Sequence, residues 1–142
     1  MTLEDPYRLE RFVSAQNGGT FEAALDELKA GRKTGHWIWF VFPQIAGLGS
    51  SSTSEYFALS SLEEAGAYLA HPLLGPRLVE CAQALLQLEG VSAEQVLGSL
   101  DALKLRSSMT LFLRASPDKA LFARVLERYF AGQADPATDA RV

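Results

Sequence analysis

The chain has 142 residues, 48% of them apolar and 21% charged, which is the composition of one ordinary globular domain with enough apolar side chains to build its own core. Its 17 acids against 13 bases leave a net charge of -4, so no overall positive field favours a nucleic-acid backbone. A single cysteine, Cys81, excludes an internal disulfide and reads as a buried thiol in a reducing compartment.

The acidic start, Met1 to Pro6, lacks the apolar stretch of a secretory signal, and the longest apolar run, Trp37 to Pro43, is far below the ~20 residues that span a bilayer. A cytoplasmic protein that binds neither membrane nor nucleic acid is expected. Asp5-Pro6 then offers a cap and a first helical position, with Leu9, Phe12 and Val13 at helical spacing, which predicts a helix over 6–16. Thr20 is placed to cap a second helix whose stripe is Phe21, Ala24, Leu25 and Leu28, stopped by Gly31.

Next comes the densest feature of the chain, His36-Trp37-Ile38-Trp39-Phe40-Val41-Phe42-Pro43-Gln44, which holds both tryptophans. Its bulky and β-branched members suit a strand, but no second strand-like run exists to pair with it, so a buried helical or extended segment ending at Pro43 is expected. An alternating backbone would put Trp37 and Trp39 on one face and His36, Phe40, Phe42 and Gln44 on the other. Residues 46–54, rich in Gly and Ser, read as a loop, and a short helix is expected to start near Ser54.

Ser61-Leu62-Glu63-Glu64 matches the reciprocal capping box of a helix that stops at His71-Pro72; Pro76 opens a longer helix ending at Gly90, and Ser92-Ala93-Glu94-Gln95 repeats the box. The helix from Leu100 to Ala115 is apolar except at its middle, Lys104-Leu105-Arg106-Ser107-Ser108. Ser116-Pro117-Asp118 precedes a last helix carrying Leu121, Phe122, Val125, Leu126, Tyr129 and Phe130. The fold predicted is mainly α, one compact domain of about seven helices over 1–131, with little or no β and a loosely ordered tail over 132–142.

No phosphate-binding loop, dinucleotide fingerprint, serine elbow or metal-spaced Cys/His cluster is present, so no metal or cofactor is implied. The polar residues beside the aromatic run and inside the apolar helix carry the chemistry instead. Lys104 and Arg106, with Ser107 and Ser108, would be costly to bury unpaired. Either acids such as Glu55 or Asp101 pair with them, or they line a cavity suited to phosphate. Arg32 and Lys33 either end a helix or clamp an anion. The tryptophans are either core or a stacking wall for a base, and His36 either bonds a nearby carbonyl or orients a ligand hydroxyl.

Three stretches, Asp5 to Gln16, Gly31-Arg32-Lys33 with His36 to Gln44, and Leu103 to Phe112, resemble the family of small bacterial proteins catalogued as domain of unknown function 1810, which implies a mainly helical single domain. Ser54-Glu55-Tyr56-Phe57-Ala58 is similar to the Glu-containing helix start of the NADAR superfamily, whose members are associated with NAD and ADP-ribose derivatives and with N-glycosidic bond cleavage. Together these lead to one expectation: the chain binds a nucleotide-like or ADP-ribose-like small molecule and hydrolyses its N-glycosidic bond. Arg32, Lys33, Lys104 and Arg106, with Ser107 and Ser108, would hold phosphates, and Trp37 or Trp39 would stack the base. Gln44 and His36 would position hydroxyls, and Glu55 would stabilise charge on the ribose, with His36 as its catalytic companion. The alternative is a non-catalytic helical interaction module with an aromatic core and an unknown protein partner.

Overall fold

The computed structural model describes residues 5–142, so the reading of Met1 to Glu4 lies outside the described residues. Ten helices and no strands are found among them, in one compact domain. They are α1 (Glu10–Gln16), α2 (Thr20–Ala30), α3 (Ile38–Val41), α4 (Ser52–Tyr56), α5 (Leu62–Ala70), α6 (Leu74–Gln87), α7 (Ala93–Leu97), α8 (Ser99–Ala115), α9 (Ala120–Phe130) and α10 (Pro136–Asp139). The count exceeds the expected seven chiefly because α3 and α10 are helices of four residues, too short to carry a periodic pattern, whereas the short helix expected near Ser54 is α4.

The long helix α8 is the axis of the molecule, with α5, α7, α9 and α10 packed against it and α6 joining α2 to α9. Leu105, Met109 and Phe112 are buried along it, and Phe112 meets Tyr68 of α5 and Phe122 of α9 with ring centroids 5.5 and 5.8 Å apart. None of the helices among the described residues is long and apolar enough to cross a membrane. Cys81 is buried on α6, and burial pushes its thiol up to about 12.

Several helix ends depart from the sequence pattern. Residues 6–9 are a turn rather than helix: Arg8 takes a left-handed backbone, and the Asp5 carboxylate accepts the amides of Leu9 and Glu10, so α1 starts at Glu10. Thr20 is the first residue of α2 rather than its cap, a role taken by Gly19. At α5 only half of the capping box forms. Ser61 accepts the Glu64 amide, but the Glu64 carboxylate turns to Ser60 and to Arg11. At α7 the box is complete.

Residues 132–142, expected to be loose, lie along α8 as a strap. Arg106 donates to the carbonyls of Gln133 and Ala134, Ser107 donates to Asp135, the Asp135 amide donates to Thr110, and Arg114 forms an ion pair with Asp139 at 2.8 Å. These partners sit some 25 residues away in the chain, so no local pattern announces them. Thr138, within the strap, is fully buried.

Candidate functional site

The aromatic run is neither strand nor plain core. Residues 38–41 form one helical turn, and two residues along a helix rotate by about 200°, so Trp37 and Trp39 point to opposite sides instead of sharing a face. Trp37 is 3% exposed and its indole N–H donates to the Glu27 carboxylate of α2 at 2.9 Å. Burial works to raise the Glu27 carboxyl, but donors from Gly35, Thr34 and Trp37 outweigh it and hold the group below the usual carboxylate range. Trp37 is therefore scaffold.

Trp39 turns the other way, into a cleft of about 510 Å³. The loop from Gln44 to Ser51 forms one wall, and a short parallel bridge between Ile45 and Leu59 closes the base of that loop. Leu103, Lys104, Arg106 and Ser107 of α8 form the facing wall. Phe57 joins Trp39 as an aromatic lining, and Asp135 with Ala137 of the strap closes the end. Gly47, at φ +96°, leaves room for the Arg141 guanidinium, which occupies the space a Cβ would fill and so ties the strap to the loop.

A second depression of about 280 Å³ adjoins the first, sharing Trp39 and Ser51 with it and adding Lys33, His36 and Asp101. Between the two, Lys104 Nζ lies 4.0 Å from the Trp39 ring centroid, close enough for a cation–π contact, and pairs with Asp101 at 2.9 Å. Lys33 pairs with the other oxygen of the same carboxylate at 2.7 Å. Two cations share one anion, so the partition carries a surplus positive charge. Burial works to raise Asp101, but the two lysines outweigh it and keep the carboxyl below its ordinary value. The Trp39 indole N–H is buried without an acceptor.

Of the residues singled out by sequence, Trp39, Gln44, Lys104, Arg106 and Ser107 come together in the larger cleft, and Lys33 and His36 in the smaller. Arg32 is exposed and lines neither. Glu55 is exposed on α4, one residue and about 100° of rotation away from the cleft-lining Ser54, and lines neither as well. Ser108 is fully buried on the core side of α8, its hydroxyl without a partner, because it is turned the same 100° from Ser107.

Sequence reasoning missed Asp135. Its Oδ2 accepts from Ser107 Oγ at 2.7 Å and Thr138 Oγ1 at 2.6 Å, Oδ1 accepts from the Ala137 amide at a long 3.4 Å, and the Thr138 amide also faces the carboxylate. Burial works to raise this carboxyl, but the two hydroxyls and the backbone amides outweigh it, so it stays ionised at neutral pH. The Asp-Pro pair at 135–136 was the available signal, since it places an N-cap before a first-turn proline. Among the described residues no cluster of three or more His, Cys, Asp or Glu side chains could hold a metal ion.

Comparison with known proteins gives the chain its relatives. Residues 6–142 match the family described as protein of unknown function (DUF1810). A crystal structure of a conserved hypothetical protein from Mycobacterium tuberculosis is similar over 96% of both chains, with 51% identity and a TM-score of 0.93. No curated protein matches. With the match running through the strap as well as the helical core, the chain belongs to the DUF1810 family.

Proposed function

We propose that the chain binds a nucleotide-like or ADP-ribose-like small molecule in the larger cleft, with hydrolysis of the ligand's N-glycosidic bond as the reaction the site serves. The observation that carries this reading is the meeting of Trp39, Gln44, Lys104, Arg106 and Ser107, far apart in sequence, around one concave space of about 510 Å³. Such a volume is within the range of small-molecule sites, and an aromatic wall with a few convergent polar groups is their usual lining. Trp39 and Phe57 offer faces to a base, Lys104 with the neighbouring Lys33 offers charge to a phosphate, and Gln44 and Ser107 offer hydrogen bonds to hydroxyls. The likeness of Ser54 to Ala58 to the NADAR helix start supports the same ligand class.

For hydrolysis, a carboxylate must stand beside the charge that develops on the ribose. Glu55, exposed and outside the cleft, is poorly set for that role, and Asp135 lines the cleft. A thermal-shift screen of the purified chain against nucleotides, followed by calorimetry with ADP-ribose, NAD and nucleosides, tests the binding. A raised melting temperature is expected, since a ligand of the folded state stabilises it. Absence of binding at millimolar ligand rejects the proposal, and base release unchanged by Glu55→Gln removes Glu55 from it.

One observation favours the module reading. Leu100 and Leu103, 72% and 60% exposed, stand one turn apart on α8 at the cleft mouth, and such an apolar lip suits a protein partner. Under that reading, Leu103→Glu would abolish partner capture and leave nucleotide shifts absent in both forms.

A further inference from the structure

The two ends of the larger cleft offer opposite things. At the strap end, the Asp135 carboxylate has about four acceptor positions. Ser107 and Thr138 hydroxyls occupy Oδ2 at 2.7 and 2.6 Å, and the Ala137 amide is a long 3.4 Å from Oδ1. The nearby Arg106 does not answer it, because its Nε and Nη2 donate to the carbonyls of Gln133 and Ala134. The cleft-lining carboxylate thus holds its amide donor on Oδ1 only at long distance, and no cation among the described residues answers its charge.

About one turn back along α8, a rise of about 4.5 Å from Ser107, stands Lys104. It and Lys33 share the single carboxylate of Asp101, with side-chain exposures of 25%, 8% and 16%, so the cluster carries one formal positive charge in excess, met among the described residues only by the Gly35 carbonyl and the faces of Trp37 and Trp39. The buried Trp39 indole N–H beside it is a donor without an acceptor. A carboxylate in one part of the lining and an excess of positive charge in another do not fit a simple polyanion, which Asp135 would repel. Nor do they fit a neutral nucleoside, which would leave the lysines unanswered.

Building on the reading of this cleft as a nucleotide site, we propose that it takes a ribosyl phosphate in one direction, with the sugar hydroxyls donating to Asp135 and the phosphate against the Lys104–Asp101–Lys33 cluster at the partition. The base or other apolar body then lies along Trp39 and Phe57. Asp135 is a binding residue for the sugar, and its bonds from Ser107 and Thr138 fix its orientation. Its ionised state suits the role, since a carboxylate accepts from a diol without competing to donate.

Calorimetric titration of the full chain with three probes tests this: AMP, 2′,3′-dideoxyadenosine monophosphate, and adenosine. AMP is expected to bind at least about tenfold more tightly than the dideoxy analogue, the effect of losing a hydrogen bond to a charged group, and at least about tenfold more tightly than adenosine. Asp135→Asn keeps a good cap for α10 and should abolish the advantage of AMP over the dideoxy analogue without weakening the dideoxy analogue. Lys104→Met should weaken both phosphates alike and adenosine much less. Equal binding of AMP and the dideoxy analogue by the unaltered chain, which needs no variant, overturns the role of Asp135 and leaves the nucleotide reading standing. Equal weakening of both by Asp135→Asn does the same. No binding of any probe at millimolar concentration overturns the nucleotide reading and this inference together.

Discussion

Among the described residues, two groups of buried or half-buried charged and polar side chains differ in how fully their charges and donors are matched. On the side of α1 and α5, the Arg11 guanidinium donates to the carbonyls of Tyr7, Arg8, Tyr56 and Ala58 and to Glu64, using all its N–H groups. Nearby, Gln16 donates to the Phe40 carbonyl and to Tyr68, and accepts from Arg77. On the side of α8, the line from Lys33 through Asp101 and Lys104 to Ser107 and Asp135 keeps a surplus cation, an orphaned indole N–H and an under-used carboxylate oxygen. Matched polar groups hold a fold together; unmatched ones facing a cleft are what a ligand completes.

The comparison breaks first at Glu64. Removing one member of a buried ion pair strands the other, at a cost of about 3–5 kcal/mol, so Glu64→Ala should lower the denaturation midpoint sharply. Urea unfolding that shows a loss below about 1 kcal/mol would mean that Arg11 is not held as described. Lys104→Met should do the reverse. Its pair with Asp101 is a quarter exposed on the lysine side, so stability should change by about 1 kcal/mol or less, whereas calorimetric affinity for a phosphate ligand should fall at least about tenfold.

Acid sharpens the contrast. Asp139 is held below the usual carboxylate range by its hydrogen bond from Arg114, and Asp135 by the hydroxyls and amides that outweigh its burial. Carboxyls depressed in the fold add stability that is fully present above the unfolded value near ~4 and is lost as pH falls through the folded value. Protection of the amides of residues 133–141, relative to their intrinsic exchange rates, should therefore be high at neutral pH and fall below about pH 4 ahead of that of α5 and α6. Simultaneous loss of protection in all three would deny the strap its separate electrostatic hold. The smallest effect is expected at Arg114→Ala, about 1 kcal/mol or less by thermal melting, because that pair is about 40% exposed on both sides.

Much of the scaffold was legible because its signals are local. The Phe21 stripe of α2, the complete box at Ser92, the span of α8 and the spacing from Leu121 to Phe130 each follow from residues three or four apart. What was not legible depends on distant partners. Glu64 leaves its own capping box because Arg11, from α1, draws it away, and the strap docks through side chains of a helix that precedes it by about one α9 in the chain. The site divides in the same way. Lys104, Arg106 and Ser107 stood out as polar residues in an apolar helix, while Asp135 was passed over with the tail. A period of two put the tryptophans on one face, and the helical turn at Ile38–Val41 separates them.

That separation offers the most direct test of the central claim. The chain has two tryptophans, so its two indole N–H resonances can be assigned with a single Trp37→Phe variant and followed during a titration with ADP-ribose. The account predicts that the Trp39 signal moves with saturation while the Trp37 signal, locked to Glu27, stays in place. Movement of the Trp37 signal instead, or of neither at millimolar ligand, would contradict it.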